Sequence, residues 1–448
     1  MALRDESALL LESTAKLLEG RSPNGAGLQE QAEGLLSALG YRALVGDERR
    51  EAARLLRVGG CLKRVFRLAA PEAPGLCVFG GEADPALIGL QGPSLAVASL
   101  AGTGVQLAEA LEGCLGEGAE YLAQIERRGD VAATGTARAV DHGLDAATLA
   151  ALFDRLDPPL GDTGSIDWVV ASRLSDAAPC LVPADLALRF QDSQHRPRPL
   201  VPPGLACSAG RTVASATLAA VLELVERDAA ALWWQAGKPG RPLTAEVLER
   251  GRIDELQQAL RQGHSRRTTW FLDISTELEV PVVVALSLEP DGKGFAFGLS
   301  AQLDAATAAR KAFMELCQTE LAYHIVDLKR RERGETALNA VDRRHQRRRE
   351  WAGAAQSSRL QANGTPYDWQ PDTTESPAVR LKRLSDALTR QGQAIYYVDL
   401  TRSDLEVPAV WACAPQLQPL PSSLETKRLI EKRSSGTTKE QKLALELL

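Results

Sequence analysis

Apolar positions follow two different periods along the chain, and segments of the two kinds alternate. A spacing of three to four residues predicts helices over 1–40, 105–128, 212–234, 304–326 and 377–392. Short apolar runs between turn residues predict strands at "RALVGD", "GLCVFGG", "LIGL", "SIDWVVASRL", "TTWFLDIS", "VPVVVALSLE", "FAFGLS", "AIYYVDLT" and "PAVWACAP". Proline-rich segments at 178–184 and 196–203 are typical of loops. Because helices and strands are interleaved, we predict an α+β fold with α/β-like order.

A glycine turn followed by a small-residue helix with two glutamates occurs twice. In "AGTGVQLAEALEGCLGEGAEY", Glu117 and Glu120 follow Gly104 by thirteen and sixteen residues. The second copy repeats both spacings 106 residues further on, at Gly210, Glu223 and Glu226. We interpret the two segments as pseudo-symmetric copies of one strand–turn–helix unit around a shared cleft.

Both helices of this repeat are otherwise strongly apolar. Glutamates three residues apart project from one side of a helix, and an unpaired buried carboxylate is unfavourable. We therefore expect a cation to meet them, and oxygen ligands suit Mg²⁺, which often links carboxylates to phosphates. The predicted metal ligands are Glu117, Glu120, Glu223 and Glu226. The alternative is a solvated helix face whose duplication reflects symmetry without chemistry.

The turn "ACSAGRT" before the second helix allows three interpretations. Ser208, Gly210 and Thr212 could face a phosphate, because the free N–H groups at a helix N-terminus favour anions. Thr212 or Ser208 could instead simply cap the helix. The segment also comes close to a G-x-S-x-G nucleophile elbow, which would make Ser208 the nucleophile of a serine hydrolase. The candidate bases are then His264, His324 and His345.

Charge and cysteine content exclude several classes of protein. The 448 residues are 44% apolar and 25% charged, with a net charge of −6, so no overall basic field attracts nucleic acid. The start, "MALRDESALLLESTAKLLEG", lacks the pattern of a signal peptide, and the longest apolar run is too short to span a bilayer. Seven scattered cysteines form no C-x-x-C pair. We expect a cytoplasmic protein that binds neither membranes nor nucleic acid.

A basic run at 329–349 contains nine Lys or Arg residues. Such runs are usually solvated helices or loops. The functional alternative is a docking surface for an acidic leader peptide or a partner subunit.

Several of these segments together resemble the YcaO family. The strongest similarity is "GLACSAGRTVASATLAAVLELVERDAAALWW", with the family's small-residue turn, Thr and E-x-x-E-R-D-A helix. "AGTGVQLAEALEGCLGEGAEY", "FGLSAQLDAATAARKAFMELCQTE" and "YYVDLTRSDLEVPAVWACAP" resemble further family segments in the same order, and the similarity covers about 85–420. The chain differs at Tyr121, where the family usually has Arg, and at Lys311, which keeps the positive charge without the guanidinium fork.

This resemblance implies an enzyme that depends on ATP and Mg²⁺ and activates backbone amides of a ribosomal precursor peptide. Cysteine, serine or threonine side chains then form thiazoline or oxazoline rings, while other members form thioamides or amidines. The four glutamates would hold magnesium, and the third helix would approach the nucleotide through Arg310, Lys311, Glu315 and Gln318. A non-catalytic scaffold subunit is a further alternative.

The resemblance also implies partners and a division of the chain. A separate ThiF-like subunit would bind the leader peptide, a flavin-dependent dehydrogenase would oxidise azolines to azoles, and the whole would form an oligomeric complex. The predicted segments are an N-terminal α/β subdomain at 1–84, an ATP-binding core at 85–330, a basic and polar connection at 331–376, a return to the core at 377–425 and a charged tail at 426–448.

Overall fold

The computed structural model of the chain describes residues 4–23, 25–158, 164–351, 357–371, 376–419 and 424–433. The chain forms two compact units, each assembled from three stretches of sequence. Unit one comprises Met1–Leu68, Cys77–Val221 and Ser376–Pro415, and unit two comprises Ala69–Leu76, Leu222–Glu375 and Gln416–Leu448. Within the described residues, no helix combines the length and the apolar character needed to cross a bilayer.

Thirteen α-helices are seen in the described residues. They are α1 Glu6–Leu18, α2 Ala26–Ala38, α3 Gly46–Gly60, α4 Leu107–Gln124, α5 Ala146–Phe153, α6 Ala184–Ala187, α7 Val213–Trp234, α8 Ala245–Arg250, α9 Ile253–Arg261, α10 Ala305–Arg333, α11 Ala340–Arg349, α12 Pro377–Arg390 and α13 Lys427–Lys432. Side-chain caps explain where several of them begin. Asp5, Asp304 and Ser376 each accept a hydrogen bond from a first-turn amide, at the starts of α1, α10 and α12.

Fifteen strands complete the described structure. They are β1 Arg64–Leu68, β2 Cys77–Ala83, β3 Ala98–Gly104, β4 Val131–Gly135, β5 Leu156–Asp157, β6 Ile166–Arg173, β7 Pro179–Pro183, β8 Arg198–Pro199, β9 Cys207–Ala209, β10 Arg241–Pro242, β11 Thr268–Asp273, β12 Val282–Leu288, β13 Ala296–Ala301, β14 Tyr396–Asp399 and β15 Ala409–Cys413.

Unit one contains two main sheets. An antiparallel sheet in the order β1-β2-β3 packs with α1 to α4 around a core that includes Leu11, Leu56 and Leu111. A six-stranded sheet has the order β4-β6-β14-β15-β9, with β7 paired to β6. Arg402 links the C-terminal stretch to the end of α4, because its Nε donates to the Ala123 carbonyl at 2.7 Å. The C-terminal stretch 376–415 is therefore integral to unit one.

Unit two is built on an antiparallel sheet in the order β10-β11-β12-β13. Every residue of β13 is buried, as are the first six of β12, so these strands read as nearly continuous apolar runs. An aromatic cluster stands beside the sheet, where Trp234 stacks on Phe295 and Trp351 meets both rings edge-on. Its indole and phenyl surfaces extend the core.

The structure confirms the mixed helix and strand composition and most of the predicted elements, but four predictions were wrong. "RALVGD" is not a strand, since a 3₁₀ turn at Tyr41–Ala43 leads into α3. "LIGL" lies in a 3₁₀ turn at Pro85–Ile88. The proline-rich segment 178–184 contains β7, which pairs with β6 alone and so tolerates prolines at both of its ends. The proline-rich segment 196–203 contains the two-residue strand β8, which pairs with β5.

The structure describes all of the basic run 329–349 and part of the predicted charged tail. Most of 329–349 is helical, since α10 extends to Arg333 and α11 begins at Ala340. The exposed arginines there are Arg330, Arg331, Arg333, Arg343, Arg344 and Arg347. Of the predicted tail, α13 is seen, and 434–448 lie outside the described residues.

Candidate functional site

Strand β3 and helix α4 approach each other unusually closely in unit one. A Cβ atom on Gly102 would lie 2.1 Å from the Ala110 carbonyl oxygen, and one on Gly104 would lie 2.4 Å from Glu109 Cβ. Only glycine permits this contact. A capping box formed by Gln106 and Glu109 starts the helix directly after the strand.

The first glutamate pair is held by backbone amides of two strands. Glu117 accepts a hydrogen bond from Ala101 N in β3 at 2.6 Å, and Glu120 accepts one from Ala209 N in β9 at 2.7 Å. Glu117 is accessible to water, yet enough protein surrounds its carboxyl that burial raises its pKa, against the opposing effect of the Ala101 amide. This combination is typical of a carboxylate at the wall of a cleft.

The turn before α7 packs like the turn before α4. A Cβ on Gly210 would lie 2.6 Å from Ala216 N, and one on Gly104 would lie 2.9 Å from Ala110 N, six residues further on in both cases. The local likeness agrees with the alignment of the two glycine turns. The pseudo-symmetry of the whole molecule remains a prediction.

Thr212 acts as the cap of α7. Ser215 N donates to Thr212 Oγ1 at 3.1 Å, and Thr212 N donates to Ser215 Oγ at 3.0 Å, so the capping interpretation is confirmed. The turn at Gly210 borders a cavity of about 300 Å³ with four glutamates and two arginines in its lining. That lining suits a cation better than a phosphate. The phosphate-binding role of Ser208, Gly210 and Thr212 remains a prediction.

Ser208 does not occupy a nucleophile elbow. It lies within β9, is buried and pairs with Val410 of β15, whereas an elbow requires a sharp turn between strand and helix. The positive φ in this segment, 54°, belongs to Ala206. The geometry therefore does not support the serine hydrolase alternative.

A second set of anchored carboxylates lies in unit two. Glu226 of α7 accepts from Ala301 N, and Glu315 of α10 accepts from Leu299 N, both at 3.0 Å. Both amides belong to β13, so one strand orients carboxylates from two helices. A Cβ on Gly298 would lie 2.2 Å from the Ala312 carbonyl oxygen, so here too glycine lets strand and helix touch.

Strong electrostatic coupling marks these carboxylates. Burial, and then the nearby Glu226, raise the pKa of Glu315 to about 8, while Arg227 opposes the shift. Arg227 lies 3.4 Å from Glu223 and 3.5 Å from Glu226. Burial lowers the pKa of Arg227, but these carboxylates raise it above its usual value. Arg227 therefore offsets part of the negative charge of these carboxylates.

The other predicted residues of α10 have different surroundings. Lys311 is exposed and Gln318 is half-buried, and both lie on the same side of α10 as Glu315. Arg310 Nη1 donates to the Gly251 carbonyl at 2.8 Å, which links α10 to the end of α8. Nucleotide contacts by Arg310, Lys311, Glu315 and Gln318 remain predictions.

Unit one and unit two thus each bring some predicted residues together. Glu117 and Glu120 lie in unit one, and Glu223, Glu226 and Glu315 lie in unit two. No group of three or more His, Cys, Asp or Glu side chains gathers at metal-binding distance in the described ranges. The shared four-glutamate site remains a prediction.

A structural ion pair that was not predicted from the sequence lies directly after the second E-x-x-E. Asp228 is fully buried and accepts from Arg428 at 2.8 Å and from Gln418 N at 2.9 Å. Arg428 also donates to Glu277 at 2.7 Å. Asp228 directly precedes the apolar run "AAALWW" of α7, and a charge at the edge of that run was the available signal for a buried partner.

A family model described as YcaO cyclodehydratase, ATP- and Mg²⁺-binding, matches residues 101–418, well over half of the chain. A comparison with curated proteins finds no match.

Solved structures share the fold. A heterocyclase in complex with substrate and cofactor has a TM-score of 0.66 and 18% identity over 89% of this chain and 56% of its own. YcaO from Methanopyrus kandleri, bound with AMPPCP and Mg²⁺, has a TM-score of 0.56 and 19% identity over 91% and 94%. The E. coli microcin synthetase McbBCD complex with pro-MccB17 bound gives 0.60 and 15% over 86% and 95%.

The chain spans about half the length of the first two heterocyclase structures that it matches, 56% and 49%. At these sequence identities, the likeness concerns the fold. The family model rests instead on the sequence, and it covers all the glutamates described above. The chain therefore belongs to the YcaO cyclodehydratase family, which is described as binding ATP and Mg²⁺.

Proposed function

We propose that this chain is the cyclodehydratase subunit of a peptide-modifying synthetase. It uses ATP and Mg²⁺ to activate backbone amides of a ribosomal precursor peptide, so that Cys, Ser or Thr side chains close thiazoline or oxazoline rings. The observation that carries this proposal is the set of anchored carboxylates on three helices, within the region that matches the family model.

The residues present fit a magnesium-bound triphosphate. Each anchoring amide binds a carboxylate and fixes its orientation, as a metal ligand requires. Burial raises the pKa of Glu117 and of Glu315, so a cation bound beside them would favour their charged forms. Bound magnesium would supply positive charge that stabilises the carboxylates and the phosphates of ATP. Glu117, Glu120, Glu223 and Glu226 would bind the metal.

Other residues of the chain would position and stabilise the reactants. Lys311 projects from α10 one turn before Glu315 and would place a positive charge near the phosphates. Arg227 keeps Glu223 and Glu226 in place before the metal arrives. Glycines let β3 and β13 contact their helices closely, and this contact holds in place the strands whose amides orient the carboxylates.

The proposal includes partners and alternatives. A ThiF-like subunit would present the precursor's leader, a flavin-dependent dehydrogenase would oxidise the rings, and the complex would act in the cytoplasm. Thioamide or amidine formation uses the same amide activation and differs in the nucleophile. A scaffold subunit would keep the fold without turnover.

Conservative changes in the carboxylates test the proposal. Glu226→Gln and Glu120→Gln should each lower peptide-dependent ADP release by at least about 100-fold, because a key electrostatic group is lost. Glu249→Gln is the control, since Glu249 is an exposed residue of α8. Near-normal release in both site variants would overturn the assignment.

Mass spectrometry of candidate precursor peptides identifies the product. Loss of one water per site indicates ring closure, and loss of two further hydrogens indicates oxidation by a partner. Exchange of oxygen for sulfur indicates a thioamide. Tight binding of ATP and Mg²⁺ without any modification or ADP release indicates the scaffold role.

A further inference from the structure

A second cavity in unit one lies at the C-terminal end of α4. Its volume is about 620 Å³, which is within the range of ligand-binding sites. Tyr121 of α4 forms one wall, and the segment before β3 forms another, where Ala96 and Val97 are exposed. None of the glutamates predicted to bind magnesium lines this cavity, and neither does Lys311. The proposed function therefore leaves the cavity without a ligand.

The lining combines an apolar wall with three arginines. Its apolar side chains include Leu95, Val97, Leu188 and Phe190. Arg196 is neutralised, because it donates to Asp185 and to Asp167, in both cases at 2.7 Å. Arg198 is exposed, so water and salt screen its charge. Arg189 is thus the cation that the cavity offers to a ligand.

Arg189 has no anionic partner among the described residues. Its guanidinium lies 5.1 Å from the centre of the Tyr121 ring, and its Nε donates to Gln124 Oε1 at 3.2 Å. Neither Nη atom donates to any side chain or carbonyl in the described part of the chain. Burial lowers the pKa of Arg189, because the charged form is partly desolvated. A guanidinium in this position is unfavourable without an anion.

Two neighbours fix the direction of the Arg189 side chain. The Tyr121 hydroxyl donates to the Ala96 carbonyl, which holds the ring beside the guanidinium. Gln124 is buried, and its Nε2 donates to the Pro203 carbonyl, so its Oε1 is held toward Arg189 Nε. The two Nη groups are left to the cavity that Arg189 lines. A side chain held in this way loses little conformational freedom when a ligand binds.

A carboxylate is the anion that this arrangement fits best. Two parallel N–H groups of a guanidinium match the two oxygens of one carboxylate in a bidentate pair. One unpaired cation balances one negative charge, whereas a polyphosphate carries several and needs further cations or a metal ion. The apolar wall suits the hydrocarbon neighbours that a carboxylate has in a peptide.

We propose that this cavity binds the carboxylate of an aspartate or glutamate in the precursor peptide, with the two Nη groups of Arg189 as donors. Tyr121 and Gln124 are positioning residues for Arg189. The assignment of this carboxylate to the precursor rests on the proposed function. The contact anchors the peptide at the end of the helix that carries Glu117 and Glu120, and it selects segments with an acidic residue at that position.

Ligand-observed NMR with two probe peptides tests the site. One peptide has a single glutamate between two leucines, with acetylated and amidated ends, and the other has glutamine instead. Wild-type protein should bind the glutamate peptide about ten- to a hundredfold more tightly, as expected for charge-assisted hydrogen bonds. Arg189→Met should remove this preference, and Arg189→Lys should keep part of it, because lysine retains the charge without the fork.

Two further variants separate binding from structural effects. Arg128→Met replaces an exposed arginine outside the cavity and should keep the wild-type preference. Tyr121→Phe keeps the ring but loses its hydrogen bond to Ala96. It should weaken binding of the glutamate peptide alone, whereas a general structural defect would affect both peptides. If Arg189→Met does not fold, as judged by circular dichroism, Arg189→Lys carries the test.

Three results would overturn the inference. The first is equal affinity of the wild type for the two peptides, or a glutamate preference that persists in the folded Arg189 variants. The second is acetate that binds as tightly as the glutamate peptide, since the site would then recognise small acids rather than a peptide. The third is displacement of the glutamate peptide by ATP with Mg²⁺, which would assign the cavity to the nucleotide.

The same measurements distinguish this inference from the proposed function. An unchanged glutamate preference in Arg189→Met, with an active wild type and an inactive Glu226→Gln, rejects the site and keeps the function. A wild-type protein that binds the glutamate peptide through Arg189 but has no ATP-dependent activity on any peptide keeps the carboxylate site and rejects the function.

Discussion

Arg227 is the residue that balances the carboxylates of unit two. It contacts both Glu223 and Glu226, and it opposes the raised pKa of Glu315. Arg227→Met should lower the free energy of unfolding by about 2 kcal/mol in metal-free buffer, less than for a fully buried pair because these side chains are partly exposed. Mg²⁺ should restore part of this loss, since it supplies the missing charge.

Urea denaturation with and without Mg²⁺ measures this effect. Arg227→Lys is the control and should lose less stability, because it keeps the charge. An equal loss for Arg227→Met in both buffers would mean that the side chain acts by packing alone.

The lowered pKa of His345 leads us to expect that stability depends on pH. Burial, with nearby Arg348 and Arg344, lowers its pKa from 6.5 to about 4, and Asp342 opposes the shift. Between these values the unfolded chain binds a proton that the folded chain does not, so stability falls as the pH drops from 6.5 toward 4. The slope for one such group is at most about 1.4 kcal/mol per pH unit.

Chemical denaturation across this pH range tests the assignment. His345→Gln should flatten the profile of the free energy of unfolding, because the titrating group is gone. His264→Gln, on an exposed loop, should keep the wild-type profile. An unchanged slope in His345→Gln would assign the pH dependence to other groups.

The sequence identified the glutamates but not their anchors. Glu117, Glu120, Glu223 and Glu226 were found because a repeat exposes them at fixed spacing. Glu315 carries the same anchor as Glu117, an amide sixteen residues earlier, but Gln302 stands where the repeat has glycine. Arg189 gave no local signal, since its contact with Tyr121 spans 68 residues of chain.

At the scale of elements, the closeness of strand and helix sets the site. Gly102 in β3 and Gly298 in β13 each face the backbone of a helix. A Cβ atom added to either glycine would lie 2.1–2.2 Å from a helix carbonyl oxygen. That contact brings Ala101 N and Leu299 N within hydrogen-bond distance of Glu117 and Glu315. A wider gap would release both carboxylates.

Alanine substitutions test this contact. Gly102→Ala should lower the free energy of unfolding by about 3 kcal/mol or more, because the added Cβ overlaps the backbone of α4. Gly116→Ala is the matched control on α4, where nothing lies within 4 Å of the new Cβ. It should raise stability by up to about 1 kcal/mol. Equal effects of the two changes on the urea midpoint would contradict the close approach.

Element prediction failed where short-range patterns compete. Helix α3 carries seven charged residues among fifteen, and these interrupt the buried positions, such as Ala52 and Leu56, enough to hide its period. Strand β7 begins and ends with proline, which reads as a loop until its pairing with β6 is known. Strongly apolar elements such as α7 and β12 were predicted correctly because few charged residues or prolines interrupt their apolar pattern.

At the scale of the whole molecule, the C-terminal stretch Gln416–Leu448 is assigned to unit two. Arg428 and the Gln418 amide hold it to the buried Asp228 of α7, two residues after Glu226. Leu429 packs on Leu232 and Ala236 of the same unit. Loss of this attachment should therefore loosen the part of α7 that carries the predicted metal ligands Glu223 and Glu226.

Arg428→Met should lower the free energy of unfolding by about 3–5 kcal/mol, because it leaves the carboxylate of Asp228 buried and unpaired. The double change Arg428→Met with Asp228→Asn should cost less than the single one, since no charge remains. Arg433→Met removes an exposed pair with Glu425 and should stay within about 0.5 kcal/mol. Hydrogen exchange should locate the weakening in residues 222–233 and leave β1 to β3 protected. A uniform loss of protection would mean that the two units unfold as one.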